Sequence, residues 1–131
     1  GHANAVKDEF SPMENLRVAC AVAGRDVSED QALEALGAIG LAHRLELDAR
    51  HLSQGQRRRV ALARLLLADT VPLWILDEPF TALDVAAVGL LAQTIEDHLR
   101  RGGSVIYTTH QDVDLEAPTL QRLDVGDFAP C

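Results

Sequence analysis

The sequence is short of lysine, cysteine and long apolar runs, and each shortage excludes a class of protein. Lys7 is the only lysine and the formal net charge is −8, which argues against nucleic acid as the main partner, because neutralising phosphates needs clustered positive charge. Two cysteines cannot build a disulfide framework, which favours a reducing compartment. No apolar stretch approaches the ~20 residues of a membrane span, since 60–76 is interrupted by Arg64, Asp69 and Pro72. The remaining class is one globular domain.

The run that starts at Leu52 reads LSQGQRRRVALARLLL and predicts a helix that begins on a glycine-containing turn. Ser53 is a suitable N-cap because its hydroxyl can accept from an unpaired backbone amide. Gln56 lies at the third helical position and can reach back, which completes a capping box. Such a helix start presents free N–H groups and the positive end of the helix dipole, so it favours a phosphate group.

A second run, LWILDEP, has four apolar residues followed by two acids. The apolar part predicts a fully buried strand, 73–77, of a parallel sheet, which makes the fold class α/β. Asp77 and Glu78 then lie at the carboxyl end of the strand, where ligands bind in open α/β sheets. If the pleat continues, the two side chains point to opposite sides and can take different roles. In nucleotide hydrolases these roles are Mg²⁺ binding and orientation of the attacking water.

The segment after these acids predicts a β-α-β crossover. TALD predicts a turn in which Asp84 caps a helix over 85–100. Gly102 and Gly103 predict the turn that follows this helix. The β-branched, apolar run from Ser104 to Thr109 predicts the next parallel strand. His110 follows it and is expected beside Asp77, at the edge of a phosphate site. His98 has no such position and is expected to be exposed.

The motifs LSQGQ, LWILDEP, TALD and the strand-ending His110, in that order, resemble the ATP-binding subunits of ABC transporters. In that family they are the LSGGQ signature, the Walker B strand with its glutamate, the D-loop and the switch histidine. The resemblance covers roughly 1–115 and implies a partial P-loop NTPase domain with parallel strands and a helical subdomain. Gln54 departs from the family's usual glycine, and its larger side chain affects how closely a phosphate approaches.

The resemblance divides the chain into three parts. Residues 8–52, with capping boxes at Ser11 and Ser28, form the helical subdomain that in the family docks on the membrane partner. Residues 53–115 carry the four motifs. Residues 116–131 are less clear, and their apolar side chains favour a short strand or hairpin.

No G-x-x-x-x-G-K-[ST] loop occurs in the sequence. The family's P-loop lies before its Q-loop, so the resemblance implies a chain that begins after the P-loop and is inactive alone. The Gly-His start, the closely following Lys7 and the ENLR helix resemble the family members that export haem for c-type cytochrome maturation. His2 would then stand at the Q-loop position. Gly1 and His2 can also be read as the remnant of an expression tag.

The resemblance implies ATP and Mg²⁺ as ligands, shared between two subunits. Asp77 is the predicted Mg²⁺ residue, and Glu78 and His110 are the predicted catalytic pair. The predicted nucleotide-binding residues are Ser53, Gln54, Gly55, Gln56, Asp84 and His2.

The function implied is ATP hydrolysis in a homodimer bound to a transmembrane permease subunit, peripheral to the cytoplasmic face of the bacterial inner membrane. Three alternatives stay open: the ATPase of another ABC transporter, a non-catalytic dimerising fragment, and an ABC ATPase of translation or repair. Arg57–Arg59 also leave two interpretations, a solvated face or a contact with ATP or an acidic partner surface.

Overall fold

A computed structural model describes residues 6–128. Within that range the helices α1 to α4 and the strands β1 and β2 follow the order α1, α2, α3, β1, α4, β2. Their bounds are α1 Pro12–Val22, α2 Glu29–Ala38, α3 Gln54–Leu66, β1 Leu73–Leu76, α4 Val85–Arg100 and β2 Ser104–Tyr107, with 3-10 turns at Ala49–His51 and Val125–Phe128. The chain therefore has the predicted α/β fold class.

Each α-helix begins at the residue that the sequence predicts. Ser11, Ser28 and Ser53 all form complete capping boxes. The Ser53 Oγ accepts from the Gln56 N–H at 3.1 Å, while the Gln56 Oε1 accepts from the Ser53 N–H at 2.9 Å. Asp84 caps α4, since its Oδ1 accepts from the Ala87 N–H at 2.8 Å. These caps satisfy backbone donors that the first helical turn leaves unpaired.

The strands β1 and β2 pair in parallel, with Leu73 opposite Ser104 and Leu76 opposite Tyr107. The prediction of a fully buried β1 is wrong, because Trp74 is 3% exposed but Ile75 is 73% exposed. Successive side chains of a strand point to opposite faces, and α4 covers only one face of this sheet. Both strands also end before the predicted bounds of 77 and 109.

Helix α3 contributes to two hydrophobic cores. Its Val60 and Ala63 pack with α1 and α2 in the first core. Its Leu62 and Leu65 pack against the second core, whose buried members include Trp74. The first core contains most of the apolar residues of 8–52, and the division of the chain at Ser53 stays a prediction.

The side chains of Cys20 and His98 are both fully buried. Cys20 is 0% exposed and lies in the first core. His98 is 1% exposed, so its predicted exposure is wrong. Its ring stacks on Trp74 with centroids 3.8 Å apart and planes 8° apart. The reason is helical spacing, since His98 lies on the same face of α4 as Leu91 and Ile95, which faces the sheet.

The C-terminal segment forms no strand or hairpin between 116 and 128, which corrects the prediction for this part of the chain. Leu120 and Leu123 are 61% and 74% exposed, so these apolar side chains do not join the core. The segment just before them is anchored, since the Glu116 N–H donates to the Glu96 Oε1 at 2.9 Å. Residues 129–131 lie outside the described range. Over residues 6–128, no helix combines the length and apolarity needed to cross a bilayer.

Candidate functional site

The candidate site lies at the carboxyl edge of the two parallel strands. Asp77 and Glu78 directly follow β1, and Thr108 to His110 directly follow β2. The backbone pairing continues one step past the strands, because the Thr108 N–H donates to the Leu76 carbonyl at 3.1 Å. The register therefore brings the predicted acids and His110 to one edge of the sheet.

Glu78 and His110 are in direct contact. The His110 Nε2 lies 3.0 Å from the Glu78 Oε1, with the Glu78 side chain 19% exposed and the His110 side chain 92% exposed. The Glu78 Oε2 accepts from the Thr81 hydroxyl at 3.3 Å. Each carboxylate oxygen of Glu78 has one partner, and each keeps a second lone pair with which Glu78 can accept a hydrogen bond from a water molecule.

The carboxylate of Asp77 is exposed and has a different partner from that of Glu78. Its Oδ1 accepts from the Thr108 hydroxyl at 2.7 Å. Residues 6–128 contain no cluster of three or more His, Cys, Asp or Glu residues suited to a metal ion. The oxygen donors present still fit Mg²⁺, because this ion is usually held by one or two carboxylates together with water and substrate phosphates. Asp77 is the residue of this chain that would hold it.

The N-terminal tip of α3 is at the surface. Ser53 and Gln54 are exposed, while Gly55 and Gln56 are half-buried. The Gln56 side chain is used in the cap. A Cβ built on Gly55 would lie 3.7 Å from the carbonyl oxygen of Ala82, so this turn of α3 packs on the loop after Glu78. The tip is thus open to a ligand on one side and supported by its own chain on the other.

The three arginines of the first turns of α3 have partners within the chain. Arg57 forms an ion pair with Asp8, and Arg59 forms one with Asp84. Arg58 donates to the backbone carbonyl of Glu78. The interpretation of a solvated face is therefore wrong, because all three are half-buried and attach α3 to other segments. A contact with ATP or an acidic partner stays a prediction.

Asp84 has two roles in the structure. It caps α4 and pairs with Arg59, and its side chain is 61% exposed. Its predicted role in linking two nucleotide sites stays a prediction. His2, the predicted Q-loop residue, lies outside the described residues.

Two contacts at the site were not predicted from the sequence. Thr108 bridges the two acids, and Arg58 reaches the Glu78 carbonyl. The signal for Thr108 was available, since an in-register parallel pair places the residue after β2 opposite the residue after β1. No sequence signal identified Arg58, because its contact depends on how α3 packs against the loop after β1.

The parallel β-α-β unit thus has two acids and a histidine at its carboxyl edge, where open α/β sheets bind their ligands. Residues 14–115 match the family model described as "AAA domain, putative AbiEii toxin, Type IV TA system". Together with the motifs and the neighbours below, this match shows that the chain belongs to the AAA-domain family of P-loop NTPases, and among them to the ABC ATPases.

Two curated relatives that this chain resembles are both named "Cytochrome c biogenesis ATP-binding export protein CcmA". The relative from Aromatoleum aromaticum is 61% identical over 129 residues, which are 98% of this chain and 60% of the relative. The relative from Nitrosomonas europaea is 58% identical over 123 residues, which are 94% of this chain and 57% of the relative. The chain thus spans about 60% of the length of the curated relatives it matches.

Solved structures give the same fold. The ATP-binding cassette MJ0796, in a dimeric post-hydrolysis state bound to ADP and Pi, is 25% identical with a TM-score of 0.71. The alignment covers 85% of this chain and 50% of that one. A putative ABC transporter ATP-binding protein from Pyrococcus furiosus has a TM-score of 0.72 at 24% identity, covering 88% of this chain and 57% of that one, and supports the fold alone.

Proposed function

We propose that the complete protein that contains this chain is the ATP-hydrolysing subunit of an ABC transporter that exports haem for c-type cytochrome biogenesis. The observation that carries the proposal is the contact between Glu78 and His110 beside Asp77, at the carboxyl edge of the sheet. The names of the curated relatives support the biogenesis and export parts of it. Haem as the cargo comes from the family resemblance of the start of the chain.

The residues of the chain have separate tasks in this proposal. Asp77 offers a carboxylate oxygen to Mg²⁺ at the phosphate side of the sheet edge. Mg²⁺, when bound together with ATP, neutralises charge on the phosphates. Glu78 orients and polarises the attacking water with a lone pair of its carboxylate that His110 and Thr81 do not use. His110 then turns its imidazole towards the terminal phosphate, which its high exposure allows.

The α3 tip acts on the nucleotide of a second protomer. Its exposed Ser53 and Gln54 and the adjoining backbone amides contact the phosphates there, and Gly55 permits a close approach. This arrangement needs a homodimer in which two chains close on ATP, and the dimeric state of the neighbouring cassette supports it. The transmembrane permease subunit binds the helical subdomain, so the protein is peripheral to the cytoplasmic face of the bacterial inner membrane.

The substitution Glu78→Gln in the complete protein tests the hydrolytic role. The variant keeps the shape of the side chain but cannot act as a base, so we expect ATP binding and dimer closure to persist while turnover falls by about 10²–10⁴-fold. Asp69→Asn is the matched control, because Asp69 is exposed in the turn before β1, at the end of the strand opposite to the acids. ATP turnover is measured in both variants. Normal turnover in Glu78→Gln would refute the assignment.

Cargo and partner need a separate experiment. We expect the complete protein to co-purify with a multi-span membrane subunit, and haem added to that complex to stimulate ATP turnover. If another class of cargo stimulated ATP turnover and haem did not, the protein would be the ATPase of another ABC transporter.

A second candidate function is a non-catalytic module that associates through its sheet. The exposed apolar side chains of Leu73, Ile75 and Ile106 favour it, because such a face promotes association. Light scattering with an ATPase assay separates the two candidates. Association without turnover in the complete protein would favour the module.

A further inference from the structure

A single hydroxyl group bridges the two candidate acids. The Thr108 Oγ1 donates to the Asp77 Oδ1 at 2.7 Å and accepts from the Glu78 N–H at 2.9 Å. A hydroxyl has one proton and two lone pairs, so both hydrogen bonds form at once and their directions are fixed. The position follows from the register, because Tyr107 pairs with Leu76 and Thr108 comes next.

The backbone of Glu78 needs such support. Its φ of 47° lies in the left-handed region, which is uncommon for a residue other than glycine and persists only where the surroundings enforce it. Thr108 holds its N–H, while Arg58 and the Thr81 N–H, the latter at 3.2 Å, hold its carbonyl oxygen. The same backbone conformation directs the Glu78 side chain to His110, at 3.0 Å.

We propose that Thr108 is a positioning residue that sets the geometry of Asp77 and Glu78 relative to each other. This inference rests on the proposed function. As a donor, the hydroxyl fixes the Asp77 carboxylate that would hold Mg²⁺. As an acceptor, it fixes the backbone amide of Glu78, the acid proposed to orient the water. Loss of the hydroxyl frees both groups at once. Water can replace both bonds because the site is exposed, so the expected loss is in geometry and not in folding.

The variants Thr108→Val and Thr108→Ser separate the hydroxyl from the shape of the side chain. Valine keeps the β-branched shape without the hydroxyl, and serine keeps the hydroxyl. Thr94→Val is the matched control, because the Thr94 hydroxyl donates to the Leu90 carbonyl within α4 at 2.8 Å, away from the acids. Thr108→Ala replaces Thr108→Val if that variant does not fold.

Turnover and metal binding are both measured on the complete protein. In Thr108→Val we expect kcat to fall about 10–100-fold, the range seen when a residue behind a metal ligand is removed. Affinity for Mn²⁺ in the presence of a non-hydrolysable ATP analogue, followed by electron paramagnetic resonance, should weaken by about 10-fold or more. Thr108→Ser should restore both quantities, and Thr94→Val should leave both at the wild-type level.

Two results would overturn the inference. One is wild-type kcat and Mn²⁺ affinity in Thr108→Val, and the other is a Thr108→Ser variant as impaired as Thr108→Val. The Glu78→Gln variant keeps this test distinct from that of the proposed function. If Glu78→Gln is inactive while Thr108→Val is normal, the positioning role alone fails. If Glu78→Gln is fully active, the proposed function fails, and Mn²⁺ affinity still tests the bridge at Asp77.

Discussion

Gly103 has a strict steric requirement, and its substitution gives the sharpest test of the core beside β1. A Cβ at this position would lie closer than 3.0 Å to three atoms of the His98 ring, a distance that real Cβ atoms essentially never show. The ring cannot easily retreat, because it stacks on Trp74 at 3.8 Å and is 1% exposed. The turn therefore needs glycine at 103 for space.

We expect Gly103→Ala to lower the free energy of unfolding by about 1–3 kcal/mol, the usual cost of overpacking a well-filled core. The change is measured by urea unfolding of the purified protein, followed by far-ultraviolet circular dichroism. The loss of unfolding free energy comes from the contact with the His98 ring alone, because Gly103 has no positive φ that alanine would strain.

The variant His98→Ala provides the matched background. It is itself destabilising because it leaves a cavity, but it removes the ring that the new methyl group meets. In this background, Gly103→Ala should cost almost nothing or stabilise by about 0.4–1 kcal/mol, since alanine restricts the unfolded chain. The coupling energy between the two positions should then be about 1–3 kcal/mol.

The adjacent Gly102 is the control. Its φ is 89° and nothing lies within 4 Å of a Cβ built there, so Gly102→Ala strains only the backbone. We expect a cost of about 1–2 kcal/mol that is the same with and without His98. Additive effects of Gly103→Ala and His98→Ala would refute the steric argument.

Two further predictions concern the first core. Asn15 is buried and joins α1 to the segment before it, since its Oδ1 accepts from the Lys7 N–H at 2.7 Å and its Nδ2 donates to the Lys7 carbonyl at 3.0 Å. Asn15→Ala should lower the unfolding free energy by about 1–3 kcal/mol, measured by urea unfolding, and an unchanged value would contradict this. Burial raises the pKa of the Cys20 thiol, and Arg25 and Arg64 lower it by less. Because only the thiolate reacts, alkylation of Cys20, followed by mass spectrometry of its peptide, should be slower in the native protein than in urea at the same pH.

The sequence predicts best those features that depend on neighbours along the chain. The three capping boxes and the Asp84 cap form as expected, because each depends on side chains within three residues of a helix start. The approach of His110 to Glu78 was also predictable, since parallel strands end at the same edge of a sheet.

Features that depend on tertiary packing were predicted less well. His98 was expected at the surface because it has no position at the phosphate site, yet its spacing from Ile95 places it on the sheet side of α4. The apolar run of β1 was expected to be buried on both faces, but periodicity does not reveal how many faces other elements cover. For the same reason the contacts of Arg57–Arg59 were not derivable, because they join segments far apart in the sequence.

Helix α3 connects the two parts of the candidate site within one chain. Its tip at Ser53 faces outward, one turn later Arg58 donates to the Glu78 carbonyl, and Arg59 pairs with Asp84. Farther along, the helix is fixed by Val60 in one core and Leu62 in the other. A shift of the helix tip would therefore strain the contacts of Arg58 with the Glu78 carbonyl and of Arg59 with Asp84. The α3 tip, proposed to contact the nucleotide of a second protomer, is thus linked through Arg58 to Glu78, the acid proposed to act on the nucleotide of its own protomer.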